Sequence, residues 1–141
     1  MKHHIILKIV TKLLIPLILL FGLYVQFHGD FSAGGGFQAG VIFAAGFILY
    51  NIVFGLDNGR SILSSNTAKS LMAIGVILYI VVGFLGILLG GNFLEYNDLS
   101  STPIRGQLLG VFLVELGVGL TVSNVMVLVF YSFNDISMEK Q

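Results

Sequence analysis

Apolar residues in this chain fall into four long runs, and polar or glycine-rich residues collect between them. The runs cover about residues 13–27, 37–56, 71–89 and 108–130. A hydrocarbon core about 30 Å thick is crossed by about 20 mostly apolar residues of helix, at 1.5 Å each. The pattern therefore predicts four transmembrane helices. The first can begin nearer Ile5, with Lys8 and Lys12 reaching back to the interface along their apolar stems. None of the runs alternates as the strands of a membrane barrel do. The expectation is an all-α integral membrane protein, a helical bundle forming one membrane domain over residues 1–141.

Composition agrees with the pattern. Of the 141 residues, 56% are hydrophobic and only 10% are charged, against about 25% charged in soluble domains. Seven Lys and Arg balance seven Asp and Glu, and no basic patch exists. Nucleic-acid binding, which depends on neutralising phosphates, is excluded on that ground. The absence of Cys removes disulfide frameworks, thiolate metal sites and cysteine nucleophiles together. No zinc motif, nucleophile triad or cofactor box is visible, so the reading carries no cofactor, no metal and no enzymatic activity.

Charge also sets an orientation. In a four-span protein Lys2, Lys8, Lys12, Arg60, Lys69 and Lys140 share one side, and Arg105 alone lies on the other. By the positive-inside rule both termini are expected in the cytoplasm. The first span is read as retained. Phe31 stands two residues before Ala33, where a signal peptidase wants a small residue. A chain this short, without a visible internal repeat, cannot hold a complete inverted-repeat transporter. It reads as a subunit.

The most informative residue is Glu115, inside the fourth run and about 6 Å by helical rise from the midpoint near Gly119. A charged side chain at that depth costs on the order of 3 kcal/mol. Two readings stand side by side: a group on a proton pathway, or a protonated or paired carboxyl that fixes helix packing. At 100° per residue, Gly119 lies about 40° from Glu115, Ser123 about 80° and Met126 about 20°. Asn124 lies about 180° away, with Gly117 and Thr121 near it. A helix with small or polar groups on two faces reads as sandwiched, and in so small a protein that suggests contacts with other chains.

The first connection contains Gly34-Gly35-Gly36-Phe37, and three successive glycines imply close approach or backbone freedom. It lacks the Lys that a Walker loop places after its glycines. Gly36, Gly40 and Ala44 form a small-residue ridge suited to close helix packing. Gln38 and Asn51 are candidates for interhelical hydrogen bonds. His28, beside Asp30, is either a proton or cation relay or an interfacial polar residue. Glu115, His28, Asp30 and Asn124 are thus the candidate ion or proton path residues. In the third run Gly75, Gly83, Gly86 and Gly90 suggest tight packing, and Pro16 should bend the first helix. Glu95 and Asp98 in the last connection read as a solvated pair or an ion-collecting vestibule.

The stretch from Phe27 to Gly40, with Gly34-Gly35-Gly36-Phe37 at its centre, resembles the signature loop of the MnhB family. These are B subunits of multisubunit Mrp-type cation/proton antiporters. Val114-Glu115-Leu116-Gly117-Val118 is similar to that family's acidic residue followed by Leu-Gly, and Thr11-Lys12-Leu13 also fits. The chain departs from the family in having Ala33 where many members have Pro. It also reads His28-Gly29-Asp30 where many have Gly-His, and its last connection is short. The resemblance implies a multi-pass subunit of a prokaryotic plasma-membrane Na⁺/H⁺ antiporter. Its partners would be the other small and large antiporter subunits, monovalent cations, protons and lipid. Gly34 to Gly36 would then seat the second helix against a neighbouring subunit. The alternatives are an Mrp-like subunit of a complex-I-related energy-converting hydrogenase or redox-driven pump, and a purely structural scaffold.

Overall fold

The computed structural model describes residues 2–29 and 35–139, and for residues 2–4, 98, 138 and 139 the backbone alone. Among the described residues five α-helices follow one another: α1 (Lys2–Phe27), α2 (Gly36–Phe54), the short α3 (Leu56–Ile62), α4 (Ser65–Leu88) and α5 (Pro103–Glu139). A single 3₁₀ turn, Asn97–Leu99, interrupts the connection from α4 to α5. All the long helices are apolar enough and long enough to cross a membrane. At 37 residues α5 measures about 55 Å, so it continues well past a 30 Å core. Pro16 lies inside α1 without ending it.

Local chemistry explains where the helices stop. Gly55, at φ +98°, breaks α2 and lets α3 turn away. The Ser64 side chain accepts from the Thr67 backbone N–H at 3.1 Å and caps the start of α4. Gly90, also at φ +98°, closes the far end of α4 with open space around it. That position is a turn requirement rather than the packing contact expected of it.

The long helices stand in a row, α1–α2–α5–α4. Among the described residues α1 barely touches α5, and α4 makes no substantial contact with α1 or α2. The arrangement is the expected all-helical bundle, laid out as an open row. In water an open row would expose its core, but lipid tails are as apolar as leucine and solvate the open faces. Burial follows the same logic. The buried side chains include Thr11, Gln26, Asn51 and Asn124, whereas Leu13, Leu17, Leu20 and Leu88 are exposed. Many small and polar groups are inside, together with Val82, Val127 and Tyr131, and many large apolar ones face out.

Helix directions follow from the contacts at glycine. Gly22 of α1 meets Ile42 and Phe43 of α2, while Gly46 of α2 meets Ile18 and Leu19 of α1, so the pair is antiparallel. Gly36 and Gly40 of α2 meet Glu115 and Gly119 of α5, so that pair is parallel. Gly75 of α4 meets Thr121 and Gly117 of α5, which makes the last pair antiparallel. Both termini and α3 consequently lie at one end of the row, the terminal end. Residues 28, 29 and 35 and the 89–102 connection lie at the other, the loop end.

At the terminal end α3 is clamped onto α5. Arg60 pairs with Asp135, and its guanidinium lies 5.0 Å from the centre of the Tyr131 ring. The Tyr131 hydroxyl donates to the Leu63 carbonyl at 2.8 Å.

Candidate functional site

Glu115 is half-buried in the loop-end half of α5, beside Gly29 and Gly35, the described residues on either side of the α1–α2 connection. Gly29, Gly35 and Gly36 approach so closely because they carry no side chains. A Cβ on Gly29 would lie 2.9 Å from both carboxylate oxygens of Glu115, and one on Gly35 would lie 2.8 Å from Oε1. Gly35 also has φ +135°, a conformation that L side chains rarely adopt. A Cβ on Gly36 would sit 1.9 Å from the Glu115 carbonyl oxygen. Gly29 and Gly35 thus bring backbone up to the Glu115 carboxyl group, and Gly36 packs on the Glu115 backbone. Gly34 and Asp30, from the same stretch, lie outside the described residues.

One turn further along, Gly40 meets Gly119. A Cβ on Gly40 would be 2.7 Å from the Gly119 carbonyl oxygen. The ridge of Gly36, Gly40 and buried Ala44 faces α5 of the same chain rather than a neighbouring subunit. Phe37, between the ridge positions, points outward and is exposed. Gln38 is exposed as well. Asn51 is buried, but it donates to the Phe47 carbonyl of its own helix at 2.8 Å instead of bonding across helices.

Gln26 enters the site from α1, and sequence reasoning missed it. It is 8% exposed, and its Oε1 would lie 2.8 Å from a Cβ on Gly119. Its Nε2 is buried with no hydrogen-bond partner. A glutamine near the end of an apolar helix reads as interfacial; only the α1–α5 proximity reveals it as internal. Phe27 and Phe112 close this end of the α1–α5 gap, with ring centres 5.9 Å apart.

The other candidates are placed differently. His28 is exposed, with Nδ1 3.1 Å from the Tyr24 carbonyl and its ring stacked on Tyr24 at 4.2 Å. Asn124 is 4% exposed and donates to the Leu120 carbonyl at 2.7 Å. It lies more than two turns along α5 from Glu115, so the two side chains are not brought together.

The opposite face of α5 meets α4. A Cβ on Gly75 would meet Thr121 Oγ1 at 2.4 Å and the Gly117 carbonyl at 2.7 Å. Thr121 Oγ1 donates to the Gly117 carbonyl at 2.9 Å and approaches the Met72 carbonyl at 3.5 Å. The two small or polar faces of α5 are therefore both covered by helices of this chain. Gly83 and Gly86 admit Phe93 and the Asn92–Glu95 backbone of the last connection. There Glu95 accepts from the Asn92 backbone at 2.8 Å and from its side chain at 3.0 Å. These bonds, the backbone one first, hold its carboxyl below the ordinary value of 4.5. Tyr96 wedges against Gly106 and Gly110, and burial raises its hydroxyl above the ordinary value of 10.0. The side chain of Asp98 lies outside the described residues. Among the described residues no group of three or more His, Asp or Glu gathers as metal ligands.

A row of apolar helices that buries small and polar groups and encloses one carboxyl beneath a glycine turn defines a multi-pass membrane protein. Residues 6–128 match the family described as a domain related to the MnhB subunit of Na⁺/H⁺ antiporter, and the chain belongs to that MnhB family. A Staphylococcus epidermidis protein named "Putative antiporter subunit mnhB2" is 35% identical over 136 residues, covering 94% of this chain and 96% of its own length. The protein of that name from Staphylococcus aureus strain Newman is 33% identical over the same shares. Family and helices together place the chain in the prokaryotic plasma membrane as a multi-pass protein.

Proposed function

We propose that this chain, as a subunit of a Na⁺/H⁺ antiporter complex, contributes Glu115 to the path of the exchanged ions. The observation that carries the reading is the glycine enclosure of Glu115 at Gly29, Gly35 and Gly36. A carboxyl in that position can exchange a proton for a monovalent cation, and intramembrane acids characteristically mark such pathways. The chain's part is transport and not catalysis. Its partners are the other small and large subunits of the complex, with monovalent cations and protons as cargo. The distribution of Lys and Arg orients the terminal end toward the cytoplasm, so Glu115 lies in the outer half of the membrane.

A second reading follows from the same contacts. Glu115 supports the α1–α2 turn, and a purely structural role would make activity fall only as assembly falls. The test is Glu115→Gln in the complex purified from its native membrane in mild detergent and reconstituted in vesicles. Antiport per assembled complex is expected to drop by about a hundredfold, the scale of a lost proton-transfer group. Unchanged antiport in an intact complex would remove Glu115 from the path. Recovery with redox subunits instead of antiporter subunits would move the chain to a redox-driven pump.

A further inference from the structure

The open row leaves a flank of α1 and a flank of α4 uncovered, and the two differ in chemistry. Between Leu71 and Leu88 the exposed side chains of α4 include Ile74, Ile77, Val81 and Phe84, all apolar. The single hydroxyl in that stretch belongs to Tyr79, which is part-buried with its ring 6.5 Å from Phe93. Such a flank suits lipid tails. α1 is the least buried of the four spanning helices, and its exposed flank carries Tyr24 and His28 beside Leu17, Leu20 and Phe21. These side chains line a hollow of about 460 Å³.

The helix contacts fix the depth of Tyr24. Gly22 of α1 meets Ile42 and Phe43 of α2, so in this antiparallel pair Tyr24 is level with Gly40. Gly40 in turn meets Gly119, the midpoint of the apolar run 108–130 of α5. That run extends about 16 Å from Gly119 toward each end, further than a tyrosine side chain reaches. Tyr24 is 53% exposed, with Phe21 stacked on it at 6.3 Å and His28 at 4.2 Å. Among the described residues its hydroxyl has no hydrogen-bond partner. Tyrosines that face lipid gather at the two interfaces, where the hydroxyl meets water or headgroups. At the middle of the membrane lipid offers neither.

We propose that the Tyr24 flank of α1 seats a spanning helix from another subunit of the antiporter complex, and that the α4 flank faces lipid. Complementarity selects the occupant. It must be apolar against Leu17, Leu20 and Phe21, and at mid-membrane it must place an oxygen that accepts from the Tyr24 hydroxyl. A helix with one polar side chain in an apolar stretch meets both demands, because interhelical hydrogen bonds are how membrane helices satisfy such groups. Lipid tails meet only the first. Water meets only the second. The inference makes no use of the reading of Glu115.

The two flanks supply their own control. Leu20→p-benzoylphenylalanine in α1 and Ile77→p-benzoylphenylalanine in α4, at comparably exposed positions, are introduced separately into the intact complex and irradiated in native membranes. The α1 probe is expected to shift this subunit to a heavier adduct that mass spectrometry assigns to another antiporter subunit. The α4 probe is expected to give lipid adducts alone. Lipid adducts alone at α1 overturn the proposal. So does an adduct with a second copy of this chain, or equal capture of a subunit at α4. Tyr24→Phe then keeps the ring and removes the hydroxyl. It is expected to weaken retention of the captured subunit in mild detergent by about threefold, the scale of one hydrogen bond between membrane helices. Unchanged retention takes the hydroxyl out of the interface and overturns the argument from depth. These experiments read contact and not flux, so they succeed or fail whatever Glu115→Gln does to antiport.

Discussion

The two faces of α5 are built from the same kinds of residue and do different things. Toward α4 it presents Gly117 and Thr121, and the Thr121 hydroxyl is spent on the Gly117 carbonyl at 2.9 Å. Toward α1 and α2 it presents Glu115, Gly119 and Ser123, and beside them Gln26 keeps a buried Nε2 without a partner. The first face is satisfied and serves as adhesive. The second encloses an ionisable group and leaves hydrogen-bonding capacity unspent. Small residues alone do not distinguish packing from function in a membrane helix.

The largest effect should come from filling the glycine contacts. Gly36→Val drives a side chain into the Glu115 carbonyl, where even a Cβ would sit at 1.9 Å. Gly75→Val drives one into Thr121 Oγ1 and the Gly117 carbonyl, at 2.4 and 2.7 Å. Both obstacles include backbone, so the helices must separate, and overpacking of this kind costs about 1–3 kcal/mol or more. Recovery of each variant subunit in the assembled complex should fall sharply, more for Gly36→Val. Normal recovery of either would show that the corresponding helix pair is not held by this contact.

A smaller effect is expected from Thr121→Val, which keeps the shape and removes the hydroxyl. Its shorter bond, to Gly117, lies within α5, and the cross-helix bond to Met72 is long at 3.5 Å, in a class that averages about 0.6 kcal/mol, so thermal stability should fall slightly and transport per complex should hold. A large loss of transport would mean that the α4 face also belongs to the ion path.

The smallest effect concerns the loop that closes the α4 side. The bonds from Asn92 lower the carboxyl of Glu95, so their stabilisation is complete above pH 4.5 and is lost as pH falls through the lowered value. A carboxyl titration followed by NMR should give a midpoint below 4.5 that rises in Asn92→Ala. A midpoint above 4.5 would contradict the loop geometry.

Much of this was legible in the sequence. The four spans follow from length and apolarity, and Glu115 is conspicuous because acids are costly inside a membrane. The glycine run also announces a close approach, although what its described members Gly35 and Gly36 approach is Glu115, nearly eighty residues away. Helical angles gave α5 two special faces, but Met126, set on the Glu115 side, is exposed, Asn124, set beside Thr121, lines a hollow with Phe43 and Phe47, and angles cannot tell whether the covering helix is the chain's own. The open row was hidden for a related reason: hydropathy reports burial from water, and lipid satisfies it as well as protein does. Gln26 was invisible because its importance depends on α1 crossing near Gly119, a tertiary fact without a local signature. Asn51 shows the opposite error. A buried amide invites an interhelical bond, yet its own helix supplies the acceptor at Phe47.

The central claim is that the Glu115 face of α5 serves transport while the Thr121 face serves adhesion. It is tested most directly by Na⁺-driven proton flux in vesicles containing complexes of matched subunit content, with Glu115→Gln and Thr121→Val measured side by side. The account predicts flux reduced by about a hundredfold in the first and near normal in the second. Equal flux in the two variants, or losses that merely track subunit recovery, would contradict it.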